Sequence, residues 1–315
     1  MNEGKELKWI SGFWRRVVAF FVDTLILGVV GLALGLFLES FFVQMGAWGR
    51  LVGFSIALIY FGVMNSSIAG GQTIGKRALK IRVVDSENVP IGFGRSIVRY
   101  LILATPFSLN GAQFSNEVMF SYLIYLLSLI VFGGIFSILY LYIFNRVTRQ
   151  SLHDLVVGTY VVNASAEKRE VGKVWNVHVA VVVILFIASA IAPAFTAQLH
   201  QSEPFKGMLA VQSALSNDPD VAYATVSSGS STFSSPNEGP EKVTYVSGQV
   251  FLKTKNVADT GLARRLAAVV VENDPEALKK DTIQINMIYG YDIGIAASWS
   301  SHAHNFNPLE FQGLD

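Results

Sequence analysis

One carboxylate stands inside an apolar run. Residues 17–38 read VVAFFVDTLILGVVGLALGLFL, and Asp23 is the single charged side chain among them. An ionised carboxylate in hydrocarbon is costly unless it is paired, hydrated or protonated, so Asp23 must find partners. Arg16 precedes it by nearly two helical turns on the same face, but the rise of roughly 10 Å puts direct contact out of easy reach. Other segments must supply the partners, and Asn65, His153 and Arg149 are the candidates. Desolvation favours the protonated acid. Such a group can exchange a proton for Na⁺ or K⁺, with Asn65, Thr24 or main-chain carbonyls as neutral oxygen ligands. The competing reading is structural, a polar clamp that fixes how helices pack.

Other motifs carry less. Gly70-x4-Gly75-Lys76 imitates a phosphate-binding loop, but Arg77 stands where a magnesium-binding Ser or Thr belongs, and such a loop should follow a strand rather than a membrane helix. A tight glycine turn leading into a basic segment is the better reading, with Lys76, Arg77, Lys80 and Arg82 meeting anionic lipid headgroups. His302 and His304 alternate as two imidazoles on one strand face would, with Asp292 as a speculative third ligand. Two ligands do not make a metal site, and a solvated tail is the preferred reading. His178, at the mouth of a span, reads as interfacial. Gly31 and Gly35 have the spacing of close helix packing. No cysteine is present, which removes disulfides, thiolate nucleophiles and cysteine-ligated metals. No GxSxG, HExxH or GxGxxG pattern occurs, so no catalytic residue, metal or cofactor is assigned and an enzyme is not expected.

The elements that must position these residues are mostly hydrophobic helices. The 315-residue chain is 51% hydrophobic and 15% charged, a composition for which a bilayer is the natural solvent. Its net charge of +1 gives no reason to expect nucleic acid. Apolar segments at 17–38, about 50–69, 97–112, 118–144 and 177–197 are read as five membrane segments, the third short, kinked by Pro106 and either spanning or re-entrant. Between them, Leu79, Ile81 and Val83 alternate with Lys80, Arg82 and Val84 before the turn-like Asp85-Ser86-Glu87-Asn88. That pattern predicts a short hairpin against the membrane surface.

Basic residues set the orientation. Residues 1–16, 70–99 and 145–176 carry four, six and five of them, whereas the loop between the first two spans has only Arg50 and 110–117 has none. The richer segments belong in the cytoplasm. Five crossings then leave the amino terminus inside and residues 198–315 outside. That last third predicts a small α+β domain: a helix at 205–215, strands at 223–233 and 243–252, a helix capped by Asp259 and ending near Asn273, and a period-two strand over 283–295.

Three blocks carry a family resemblance. Gly12-Phe13-Trp14-Arg15-Arg16, continuing to Asp23, is the first; Gly71-Gln72-Thr73-Ile74-Gly75-Lys76-Arg77 with Ile81-Arg82-Val83-Val84-Asp85 is the second; Arg149-Gln150-Ser151-Leu152-His153-Asp154 with Gly158-Thr159 is the third. Together they resemble the RDD family of bacterial membrane proteins over residues 10–163. The resemblance implies that Arg16 is the family's arginine and that Asp23 and Asp154 are its two aspartates. It also implies a bacterial plasma-membrane location and, by analogy with some members, cation/proton antiport. In the structural alternative, Asp23 and Asp154 hold Arg16 and Arg149 in a cytoplasmic-side clamp.

The expected architecture is an all-α multi-pass bundle over residues 1–163, a linker and last span over 164–197, and an extracytoplasmic α+β domain over 198–315. The expected function is cation/proton or small-solute transport. The alternative is a membrane-anchored sensor, scaffold or assembly factor whose outer domain binds a protein partner.

Overall fold

A helix satisfies its backbone polar groups internally, which is what a lipid-embedded segment requires, and the apolar runs of this chain become helices. The computed structural model describes residues 8–114, 116–119, 121–196, 203–235 and 238–312. Two units emerge. The first comprises residues 1–34, 47–195 and 293–296, the second 35–46, 196–292 and 297–315.

In chain order the first part contains α1 (Phe13–Met45) and α2 (Arg50–Met64), with a 3-10 turn at Gly46–Gly49 between them. Next come α3 (Ile74–Ala78), strand β1 (Ile81–Val84), α4 (Phe93–Leu109) and the short α5 (Asn116–Met119). Helices α6 (Leu123–Ser128) and α7 (Gly134–Phe144) run together through a π-helical turn at Leu129–Gly133. Then follow α8 (Leu152–Val157), strand β2 (Tyr160–Asn163) and α9 (Asn176–Thr196).

Three stretches among the described residues are long and apolar enough to cross a membrane: Phe13–Met64, Leu123–Phe144 and Asn176–Phe195. The first holds two of the expected segments. The expected segment at 97–112 is absent from the three, because α4 has 17 residues and carries Arg95 and Arg99. Phe21, Val29, Leu126 and Ile184 are exposed along these stretches, an apolar surface whose natural partner is lipid.

The strand at Ile81–Val84 forms, but not as a local hairpin. Its partner is β2, antiparallel, with Ile81 opposite Asn163 and Val84 opposite Tyr160, and Ile10 adds a bridge to Val162. Buried Ile81, Val83, Ile91 and Val161 pack with Ala19 of α1, so the apolar face of the ribbon is inside the protein. Gly70 and Gly71 turn the chain with φ of +68° and +74°. Gly71 also has its carbonyl bonded by the Val83 N–H at 2.8 Å, and a Cβ there would lie 2.3 Å from the Val83 oxygen. Gly31 allows close packing as expected, but against the Ile295–Ala296 turn of the same unit rather than another helix.

The second unit is rich in sheet. It contains α10 (Glu203–Ser216), the long strands β3 (Val221–Ser235) and β4 (Glu238–Leu252), α11 (Thr260–Asn273), β5 (Thr282–Asp292) and β6 (Ala297–Phe306). The sheet order is β3-β4-β5-β6, with β4 and β5 parallel and the outer pairs antiparallel. Parallel neighbours need a crossover, and α11 provides it. Asp259 caps α11 by accepting from the Gly261 and Leu262 amides. Leu215, Val250, Leu266, Val270, Ile283, Ile285 and Met287 are fully buried between helices and sheet. His302 and His304 lie on β6 rather than in a solvated tail. His304 Nε2 is 2.9 Å from the Val257 carbonyl, and no metal-binding group of three or more His, Cys, Asp or Glu exists among the described residues.

Candidate functional site

Asp23 is fully buried and its carboxylate is saturated with donors. The Tyr60 hydroxyl donates to Oδ1 at 2.7 Å, the Gly75 amide to Oδ1 at 2.8 Å, and the Thr73 hydroxyl to Oδ2 at 2.5 Å. Thr73 is also the N-cap of α3, accepting from the Lys76 amide. The glycine-rich turn therefore does cradle an anion, namely the side chain of α1. A Cβ at Gly75 would lie 2.1 Å from the Ala19 oxygen and 3.1 Å from the Asp23 carboxyl carbon, so only glycine permits this approach.

Lys76 is turned inward. Its ammonium donates to Asn65 Oδ1 at 2.7 Å, and the Asn65 amide donates to the Phe61 carbonyl at 2.9 Å. Burial, reinforced by the charge of Arg99, pushes the Lys76 pKa down to about 7. Of the four side chains expected at lipid headgroups, Lys76 is thus engaged inside the protein. Arg77 and Lys80 are exposed and Arg82 is half-buried.

The second part of the cluster surrounds Asp154 on α8, which is also fully buried. Arg16 Nη2 donates to Oδ2 at 2.7 Å, while Arg99 binds Oδ1 through Nη2 at 2.7 Å and Nε at 3.0 Å. Thr159 adds a hydroxyl at 3.0 Å. Burial works against ionisation of Asp154, but the guanidinium charges of Arg99 and Arg16 outweigh it and hold the carboxyl well below the usual range. Neighbouring His153, with Nε2 3.6 Å from Asp154 Oδ2, is kept neutral because burial lowers its pKa to about 3.

These distances revise the partners expected for Asp23. Asn65 bonds Lys76, His153 sits beside Asp154, and Arg149 contributes its main-chain carbonyl to Arg16 Nη1. The clamp on Asp154 is built from Arg16 and Arg99, not Arg149. Tyr60, Thr73 and Arg99 join the cluster without being among the residues expected from the sequence. Arg99 carried a usable signal, a cation within the apolar stretch 97–109, to which the same cost applies as to Asp23.

Arg16, Asp23 and Asp154 are thus gathered in one unit by α1, α2, α3, α4 and α8, and the model of the RDD family matches residues 10–158. Residues 10–158 belong to the RDD family. Arg16, Asp23 and Asp154 are all buried here, Asp23 and Asp154 completely and Arg16 at 8% exposure. No family model matches the C-terminal region beyond this RDD portion. No curated protein and no solved structure matches the chain.

Proposed function

We propose that this RDD-family membrane protein carries out proton-linked transport of a cation or small solute, using the intramembrane Asp23 together with Lys76, with the proton exchanged at Lys76 against the amide oxygen of Asn65. The observation that carries this reading is the inward-facing Lys76, whose ammonium meets a neutral amide oxygen at 2.7 Å rather than a carboxylate. Two carboxylates, two guanidiniums and one ammonium make up the cluster, so its formal charge is zero with Lys76 neutral and +1 with Lys76 protonated. Proton uptake near neutral pH therefore creates an uncompensated buried charge, which is costly, and moving α2 or α3 to relieve it would couple the proton to a conformational step. No enzymatic reaction is part of this reading.

The proposed setting is the bacterial plasma membrane, with five membrane segments, a cytoplasmic amino terminus and residues 198–315 outside. The separation of α1 from α2 by a turn supports the count, and the loop charges support the sidedness. Exposed Arg77 and Lys80 remain suited to anionic lipid at the cytoplasmic face.

The test is proton flux in vesicles after a Na⁺ or K⁺ pulse, comparing wild type with Asp23→Asn and Lys76→Met. Loss of cation-dependent flux in correctly folded variants is the expected result; unchanged flux overturns the assignment. A second reading, a membrane-anchored sensor, scaffold or assembly factor with a protein partner for 198–315, is favoured by the saturation of Asp23 by three donors, which leaves its oxygens little capacity for a cation. Deleting 198–315 separates the two: retained flux makes the outer domain accessory, and absent flux with loss of a captured partner favours the second reading.

A further inference from the structure

Beside the cluster, the first unit contains a cavity of about 320 Å³ whose walls include Phe13, Arg16, Tyr142, Asn145, Arg146 and Arg149. Three guanidiniums line it and, among the described residues, no carboxylate does. Arg16 is anchored by Asp154 and by the Arg149 carbonyl, with its guanidinium carbon 5.0 Å from the centre of the Tyr142 ring. Arg146 and Arg149 differ: among the described residues neither side chain makes a hydrogen bond or an ion pair. Two like charges facing one cavity repel each other, and nothing described in the fold compensates them. An anion would.

The wall is pre-organised. Arg149 is held at φ +53°, a left-handed conformation that is uncommon away from glycine, by its own N–H bonding the Asn145 carbonyl at 3.0 Å and by Arg16 binding its carbonyl. The Asn145 amide donates to Thr148 Oγ1 at 2.7 Å and to the Gln150 carbonyl at 2.9 Å. These bonds fix Asn145, whose Oδ1 is buried with no hydrogen-bond partner among the described residues. The cavity lies where α1 begins at Phe13 and α7 ends at Phe144, flanked by exposed Trp14, Ile143 and Phe144. Apolar rings beside unpaired arginines at the ends of two spanning helices describe a lipid–water boundary.

We propose that this cavity binds a phosphate ester, its oxygens held by Arg146 and Arg149 with Arg16 behind them. Arginine forks match phosphate oxygens bidentately, and the cavity volume is within the range of small-ligand sites. A phosphoglycerol group presents such an ester in compact form. That chemistry has two sources, the headgroup of an anionic phospholipid entering from the membrane and a soluble glycerol phosphate entering from water. The site shares Arg16 with the buried cluster but uses neither Asp23 nor Lys76, so the substitutions that test it differ from those that test the transport reading.

The experiment uses the full chain in phosphatidylcholine nanodiscs and reads thermal stabilisation on adding either phosphatidylglycerol to the bilayer or glycerol 3-phosphate to the buffer. The variants are Arg146→Gln, Arg149→Gln and their combination, with Arg77→Gln as a basic control outside the cavity. Wild type should be stabilised by one of the two ligands, and each cavity substitution should weaken its apparent affinity about tenfold or more, as loss of a charge-assisted bond implies. Arg77→Gln should leave it unchanged. Response to phosphatidylglycerol alone identifies the lipid headgroup as the source, and response to glycerol 3-phosphate identifies the soluble ester. Arg146 is exposed and, among the described residues, bonds nothing through its side chain, so Arg146→Gln retains the fold and decides the matter even where the double variant does not. No stabilisation by either ligand, or equal stabilisation of wild type and Arg146→Gln, overturns the proposal.

Discussion

Replacing Lys76 with methionine keeps the length of the side chain and removes its proton. Burial lowers the Lys76 pKa from 10.5 to about 7 in the folded protein. Between these two values the unfolded chain binds more protons than the folded one, so wild-type stability rises with pH across that window. With one group titrating at these pKa values, the penalty for folding Lys76 is about 5 kcal/mol at pH 6 and about 2 kcal/mol at pH 9. Wild type should therefore gain about 2–3 kcal/mol on Lys76→Met between pH 6 and pH 9. The variant also leaves Asn65 Oδ1 without its donor, which costs about 1–3 kcal/mol at every pH. That loss moves the difference up or down but does not tilt it. Unfolding free energies of both proteins, measured by denaturant titration in nanodiscs at several pH values, give the tilt directly, because all other ionisable groups are common to the pair. A difference that is flat to within about 0.5 kcal/mol, or one that falls as pH rises, would refute the placement of an unpaired ammonium in the cluster.

Two further outcomes follow from burial. Asp154→Asn removes the one carboxylate shared by Arg16 and Arg99 and should destabilise the first unit by about 3–5 kcal/mol; a change no larger than that of an exposed substitution, in thermal or detergent unfolding, would show that the guanidiniums have another counter-charge. In the second unit, Ile285→Ala opens a hole at a fully buried position and should cost about 2–5 kcal/mol, read as faster proteolysis within 203–312 at unchanged cleavage elsewhere.

Signals tied to local pattern transferred well from sequence to structure. The alternation around Ile283–Tyr291 became a strand with alternating burial, and the Asp259 cap begins α11 where its side chain can reach two free amides. Asp23 was legible because an acid in an apolar run has no local remedy. Its partners were not, since Tyr60, Thr73 and Gly75 lie 37 to 52 residues away, and nothing in the spacing of an α-helix encodes who crosses it. The same limit explains β1. Its period was readable, but a hairpin is the nearest partner a strand can have, whereas the real one begins at Tyr160. Arg99 is different, for a cation within the apolar stretch 97–109 carries the same desolvation cost as Asp23 and is legible from the same pattern.

The distance along the chain between the partners of this cluster also has a consequence in time. Arg16 and Asp154 are separated by 138 residues, and a ribosome adding about 5–20 residues per second needs roughly 7–28 s to go from one to the other. During that interval α1 has left the ribosome with its arginine lacking Asp154, and β1 waits equally for β2. The first helix must therefore be sheltered by water, by lipid headgroups or by the insertion machinery until α8 arrives. The buried cluster is closed by α8, the last of its own elements to be made.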